Sequence, residues 1–228
     1  MDTFKVAVDA VVFGYSENNL QVLLIKRGIE PFLNSWALPG GFVRGTETFE
    51  EAVIRELDEE AGIRDVYLEQ LYSFSEVDRD PRGRVISISH YCLVSPESHN
   101  IQASTDAESV AWFPIKELPS LAFDHKKIID VAYTRLKNKI VYQPIGFELM
   151  PKVFTFKQLR TLYEVILDKK LHRVNFQKKM KSLNFLNEVG AKSQDPKALK
   201  FFEFDEIKYN QLKENGLYFE IKSNLKNN

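Results

Sequence analysis

The chain has 228 residues and a net charge of −1, with 44% hydrophobic, 28% charged and 12% aromatic residues, a balance that excludes a disordered or fibrous protein. No apolar run approaches the roughly 20 residues needed to cross a bilayer, and a single cysteine, Cys92, excludes an internal disulfide. The N-terminal MDTFKVAVDAVVF lacks a basic n-region and a small-residue cleavage site, so it reads as a strand of a cytoplasmic protein rather than a signal peptide. The near-zero charge hides an asymmetry. Residues 151–228 hold 16 Lys+Arg against 9 Asp+Glu, a net of +7, which leaves residues 1–150 with 15 and 23, a net of −8. The length fits one main domain and a smaller one, and the basic part carries an electrostatic footprint for nucleic acid.

In chain order, residues 5–13 and 20–25 read as paired strands, with Gly14 and the polar stretch 16–19 as the turn. Residues 41–63, GFVRGTETFEEAVIRELDEEAGI, read as a loop and then a helix. On that helix Glu56, Glu59 and Glu60 stand at i, i+3 and i+4 and so share a face. Three like charges there repel unless a cation neutralises them, and carboxylate oxygens suit a hard divalent ion, Mg²⁺ where phosphates complete the octahedron. Arg55 is placed to pair with Glu47 or a neighbouring glutamate. Phe49, Val53, Leu57 and Ala61 form the opposite, buried stripe. The bland alternative is an acidic helix face in solvent, but that would require neither the two glycines nor the arginine.

Residues 66–77 and 84–95 form a second hairpin across Asp80-Pro81-Arg82-Gly83, with Cys92 as a buried inert thiol. Residues 109–114 make a short strand and 124–139 an amphipathic helix. Two prolines and a glycine in 141–152 break the pattern, so the domains are expected at 1–145 and 150–228. Beyond the break, Thr155 caps a helix over 156–167, residues 168–171 turn, and a second helix runs from about 172 to 183. Phe176, Met180 and Leu183 face inward there, while Arg173, Asn175, Gln177, Lys178 and Lys181 stay outside. Residues 185–189 and 199–204 make a β-ribbon, and the polar tail 223–228 frays. Helix, turn, basic helix and ribbon spell a winged helix-turn-helix. In such a fold Arg173 and Asn175 reach base edges, with Gln177 close behind them. Lys178, Lys179 and Lys181 meet phosphates, and Lys192 and Lys197 decorate the wing. The competing reading is a dimerisation or lid domain with a solvated basic helix.

Gly41, Glu47, Arg55, Glu56, Leu57, Glu59, Glu60, Gly62 and Ile63 fill every position of the Nudix box, and WALPGG before it resembles that motif's entry. Residues 154–186 resemble the C-terminal winged helix of the Nudix-related transcriptional regulators, the NrtR-like group, and DRDPRGRVIS at 78–87 is similar to a loop of those regulators and of ADP-ribose hydrolases. The resemblance implies an α/β fold, a Nudix α/β/α sandwich with a C-terminal winged helix. One function it implies is a homodimeric regulator that reads a palindromic operator in double-stranded DNA. That regulator would sense an ADP-ribose-like nucleotide, or a pentose such as arabinose, through Arg27, Trp36, Arg79 and Arg84. The other is a Mg²⁺-dependent pyrophosphohydrolase, with metal on Glu56, Glu59 and Glu60 and with Glu47, Arg55 and Glu59 in catalytic roles. Two departures matter: residues 191–197 lack the arginine- and glycine-rich run of such wings, and the box, often eroded in regulators, is intact.

Overall fold

The computed structural model describes residues 3–64, 66–96, 107–191, 199–216 and 219–221. The chain divides into two compact units, Met1–Arg135 and Leu136–Asn228.

In the first unit β1 (Lys5–Ser16) and β2 (Asn19–Arg27) form a hairpin that closes at Ser16 and Asn19. Its turn is Glu17-Asn18, with φ of 52° and 60°; a two-residue turn with both φ positive matches the right-handed twist of the flanking strands. Gly14, expected in the turn, lies inside β1 instead, where a Cβ would stand 2.7 Å from the Trp112 ring. Two short strands, β3 (Trp36–Ala37) and β4 (Gly40–Phe42), precede helix α1 (Phe49–Ala61). The hairpin β5 (Tyr67–Phe74) and β6 (Val85–Val94) follows as expected, then β7 (Ala107–Pro114) and α2 (His125–Lys139). The sheet runs β3-β2-β1-β6-β5, with β4 also paired to β1 and β7 to β2. Strands β1 and β6 are parallel and the other pairs antiparallel.

Alternation along β1 decides what each face holds. Val8, Ala10 and Val12 pack with Ala52, Val53, Leu57 and Ala61 of α1. The odd positions, Asp9 and Phe13, face the other way, where Tyr91 and α2 lie. Helices on both faces make this the sandwich the motif implied. Helix α1 starts with a reciprocal cap, the Thr48 side chain on the Glu51 N–H and the Glu51 carboxylate on the Thr48 N–H, and ends at Gly62 with φ 65°. Phe49 departs from the expected stripe: it is the first helical residue and 40% exposed, and Ala52 takes its place in the core. Cys92 is fully buried, and burial pushes its thiol up to about 12, which keeps it protonated and inert.

The unit division falls within α2. Residues 145–149, inside the stretch where the sequence pattern breaks, form a 3₁₀ turn with Ile145, Phe147 and Leu149 buried. Phe147 packs against Phe154, Phe185 and Phe204, the aromatic centre of the second unit. Strand β8 (Val153–Phe154) leads into α3 (Phe156–Leu167), whose cap is Thr155 with Gln158 returning to the Thr155 N–H. Asp168, at φ 54°, stops α3 and turns the chain to α4 (Arg173–Ser182). Phe176, Met180 and Leu183 are buried as their spacing predicts. Strands β9 (Leu186–Ala191) and β10 (Lys200–Phe204) form the ribbon, and β8 adds to β10. Helix α5 (Glu206–Glu214) was not legible, because none of its residues is buried and the apolar period that reveals a helix is missing. The tail 223–228 lies outside the described residues. No helix among the described residues is long and apolar enough to cross a membrane.

Candidate ligand cleft and nucleic-acid interface

Arg55 organises the acidic edge of α1. Its Nε and Nη2 donate to the two oxygens of Glu47 at 2.9 and 2.7 Å, and Nη1 donates to Glu56 at 2.7 Å and Glu59 at 3.2 Å. The Arg55 fork and the Arg44 N–H hold the Glu47 carboxyl down at about 2. Glu56 goes the other way: burial raises its pKa despite Arg55. Glu60 is buried and accepts from the Gly40 N–H at 2.8 Å. Close approach requires the first glycine of the loop, and at the second it sets where the Glu56 carboxylate can lie. A Cβ on Gly40 would fall 2.2 Å from the Val8 carbonyl oxygen, and one on Gly41 2.1 Å from Glu56 Oε1.

Glu56 and Glu60 form one wall of a cleft of about 230 Å³, with Arg27, Arg79, Arg82 and Phe123 around it. Glu59 is not among the residues that line the cleft and is shared by Arg55 and Arg44. Consequently no three acidic, histidine or cysteine side chains converge at metal-ligand spacing among the described residues. The donor chemistry still fits a hard divalent ion: two carboxylates face the cleft, and the buried charge of Glu56 is one that a cation would stabilise.

Of the four expected ligand residues, Arg27 and Arg79 line the cleft. Trp36 does not, because β3 pairs it to β2, where its ring meets Phe113 edge-on at 4.8 Å. Arg84 does not either: its guanidinium donates to the carbonyls of Ser75 and Glu76. Arg79 is buried and bridges Asp124, at 2.7 Å, and Asp9, at 3.2 Å. Asp9 also accepts from Ser87 and from His125 Nε2. The His125 tautomer is fixed by the Leu38 N–H, which donates to Nδ1 at 2.8 Å and so leaves the ring proton on Nε2. Burial alone would raise the Asp9 pKa; His125, Arg79 and Ser87 hold it at about 2.

The sequence reading missed Asp9, Arg82, Phe123 and His125. Arg82 pairs with Asp80 and lies over the rings of Phe42 and Phe123, and Arg27 also covers Phe123. One signal was available, since Asp9 is the lone charge in the apolar run of β1.

In the second unit α4 presents three sides. Phe176, Met180 and Leu183 turn inward, and Arg173, Gln177 and Lys181 follow one another at four-residue steps along a flank. Val174, Asn175 and Lys178 are exposed. Lys179 differs from its expected role: it stands on the opposite flank, half-buried, over the Phe219 ring. Lys192 and Lys197 lie outside the described residues.

Residues 3–132 match the family model of the NUDIX domain, and residues 146–204 that of the NrtR DNA-binding winged helix domain. The ADPR responsive transcriptional repressor NtrR of Acinetobacter baylyi is 34% identical over 177 residues, 76% of this chain and 70% of that protein. The ADP-ribose pyrophosphatase of Methanocaldococcus jannaschii is 45% identical over 133 residues, 58% of this chain and 75% of that one. The crystal structure of Shewanella oneidensis NrtR complexed with a 27mer DNA shares a TM-score of 0.78 at 27% identity, covering 95% of this chain and 98% of that one.

Proposed function

From a chain that belongs to the Nudix family and to its NrtR-type regulators with a DNA-binding winged helix, we propose a cytoplasmic, homodimeric transcriptional repressor that answers to an ADP-ribose-like nucleotide. The observation that carries this reading is α4, whose Arg173, Asn175, Lys178 and Lys181 are all exposed, the three cations with no ion pair among the described residues. Arg173 and Asn175 reach base edges from the first turn, and Lys178 and Lys181 meet phosphates. Two such helices about one duplex turn apart would read a palindromic operator. In the cleft, Arg27 and Arg82 favour a diphosphate over a neutral pentose such as arabinose. The ligand shifts operator affinity through its unequal affinities for the DNA-competent and incompetent dimers.

The intact box supports a second activity, slow hydrolysis of the same ligand. Mg²⁺ would be held by Glu56 and Glu60 of the cleft, with Glu59 following them on α1, and would neutralise charge on the diphosphate. Arg55 fixes Glu47 and Glu56, and Glu60 pins the glycine loop through the Gly40 N–H.

Fluorescence anisotropy on duplexes from upstream of neighbouring genes tests the first reading. Affinity is expected to fall steeply with salt and to change on adding ADP-ribose; absent or salt-insensitive binding overturns it. Phosphatase-coupled phosphate release from ADP-ribose with Mg²⁺ tests the second, expected in the intact protein and lost in Glu59→Gln. No turnover by the intact protein ends it.

A further inference from the structure

Helix geometry places Glu56, Glu59 and Glu60 on one face of α1, yet only the first and last of them line the cleft. Two arginines hold the middle one, each taking one oxygen of its carboxylate. Arg55 Nη1 donates to Glu59 Oε2 at 3.2 Å, and Arg44 Nη2 donates to Oε1 at 3.4 Å. Arg55 also bonds Glu56, which does line the cleft, so its contact does not by itself keep a carboxylate out. The contact that sets Glu59 apart is the one from Arg44.

Arg44 is anchored where this contact needs it. Its N–H donates to Glu47 Oε1 at 2.8 Å and its carbonyl accepts the Glu47 N–H at 3.3 Å, while the Glu47 carboxylate is gripped by the Arg55 fork. The backbone at position 44 is thereby tied to α1, and only the side chain has to be ordered to make the pair. The Arg44 and Glu59 side chains are 60% and 44% exposed, so the pair is weak and opens readily. A divalent cation in the cleft competes for the same carboxylate oxygens. The backbone of α1 need not move for Glu59 to answer, because position 59 already shares the face of 56 and 60.

We propose that Arg44 is a latch on the metal site: it holds Glu59 outside the cleft, and Glu59 joins Glu56 and Glu60 on a divalent cation only when the Arg44 pair breaks. Arg44 lies outside the cleft lining and is a positioning residue that acts through Glu59. The inference rests on the reading that Glu56 and Glu60 hold a divalent cation. With the latch closed, an intact box loads its cation weakly, and turnover stays slow while the nucleotide is still recognised.

The test measures Mn²⁺ binding to the full chain without nucleotide, from the electron paramagnetic resonance signal of the unbound ion. The intact chain is compared with Arg44→Gln, Glu59→Gln and the double variant, and with Glu56→Gln to assign the binding to the box. Thermal unfolding checks that each variant is folded. Loss of an exposed pair predicts about two- to fivefold tighter Mn²⁺ binding in Arg44→Gln. The same change in a Glu59→Gln background is expected to bring no gain. Equal affinity of the intact chain and Arg44→Gln overturns the latch and leaves the metal reading standing. A gain that persists without Glu59 also overturns it, since Arg44 would then act only as a nearby positive charge. Binding undiminished in Glu56→Gln, or no binding by either the intact chain or Arg44→Gln, overturns the metal reading and the latch with it.

Discussion

Beneath the cleft of the first unit Arg79 is enclosed by Asp9 and Asp124, whereas on α4 of the second unit Arg173 and Lys178 stand in solvent without a described carboxylate beside them. Both regions are rich in arginine and lysine, yet the charges do different work. The enclosed set is mutually satisfied, with His125 and Ser87 completing the shell of Asp9, so its energy goes into fixing the cleft wall. The exposed set has no ion pair among the described residues and is placed to meet an anion. Pairing within the fold thus separates cations that build a site from cations that use one.

The largest effect expected is in the enclosed set. Arg79→Ala leaves Asp9 and Asp124 without their shared partner, and urea unfolding should show a loss of about 3–5 kcal/mol; a loss no larger than that of a surface change would break the contrast. Next comes pH. The Asp9 pKa in the fold, about 2, lies below its ordinary 3.8, so its contribution is complete above about pH 4 and disappears as pH falls through 2. That contribution is roughly 2 kcal/mol, and Asp9→Asn should flatten the acid limb of the stability profile between those pH values. Thr155→Ala removes the α3 cap and should cost about 1 kcal/mol by the same assay, within the second unit only. At the small end, Lys178→Ala should leave the urea midpoint in place and yet weaken duplex binding, with a shallower salt slope. A shifted midpoint would mean that Lys178 belongs to the fold.

Local patterns were legible where a residue's neighbours in sequence are also its neighbours in space. Thr155 with the apolar spacing of α3, the inward set Phe176, Met180 and Leu183, and the pairing of Arg55 with the glutamates all lie within a turn or two. The cleft was only partly legible because strand register assembles it. Asp9, Arg79 and His125 meet across separations of 70 residues and more, which no periodicity encodes. Phe123 leaves no signal as a single aromatic before a helix, although its φ of 51° marks a backbone held by its surroundings. For Trp36 too the local and long-range signals differ: its place in the entry motif is local, while its pairing follows from the β2–β3 register.

The unequal duties of the three box glutamates bear on how the proposed sensing and the proposed turnover can be dissected genetically. Replacing Glu60 would release the Gly40 amide and disturb the loop, and replacing Glu56 would remove one of the groups that orient Arg55. Glu59, which does not line the cleft and accepts among the described residues from two arginine side chains, is the position where, under the proposed hydrolysis, a lesion would silence chemistry and spare ligand recognition. Under the proposed function, an allele there would report how operator binding responds to a nucleotide that is still recognised but no longer hydrolysed.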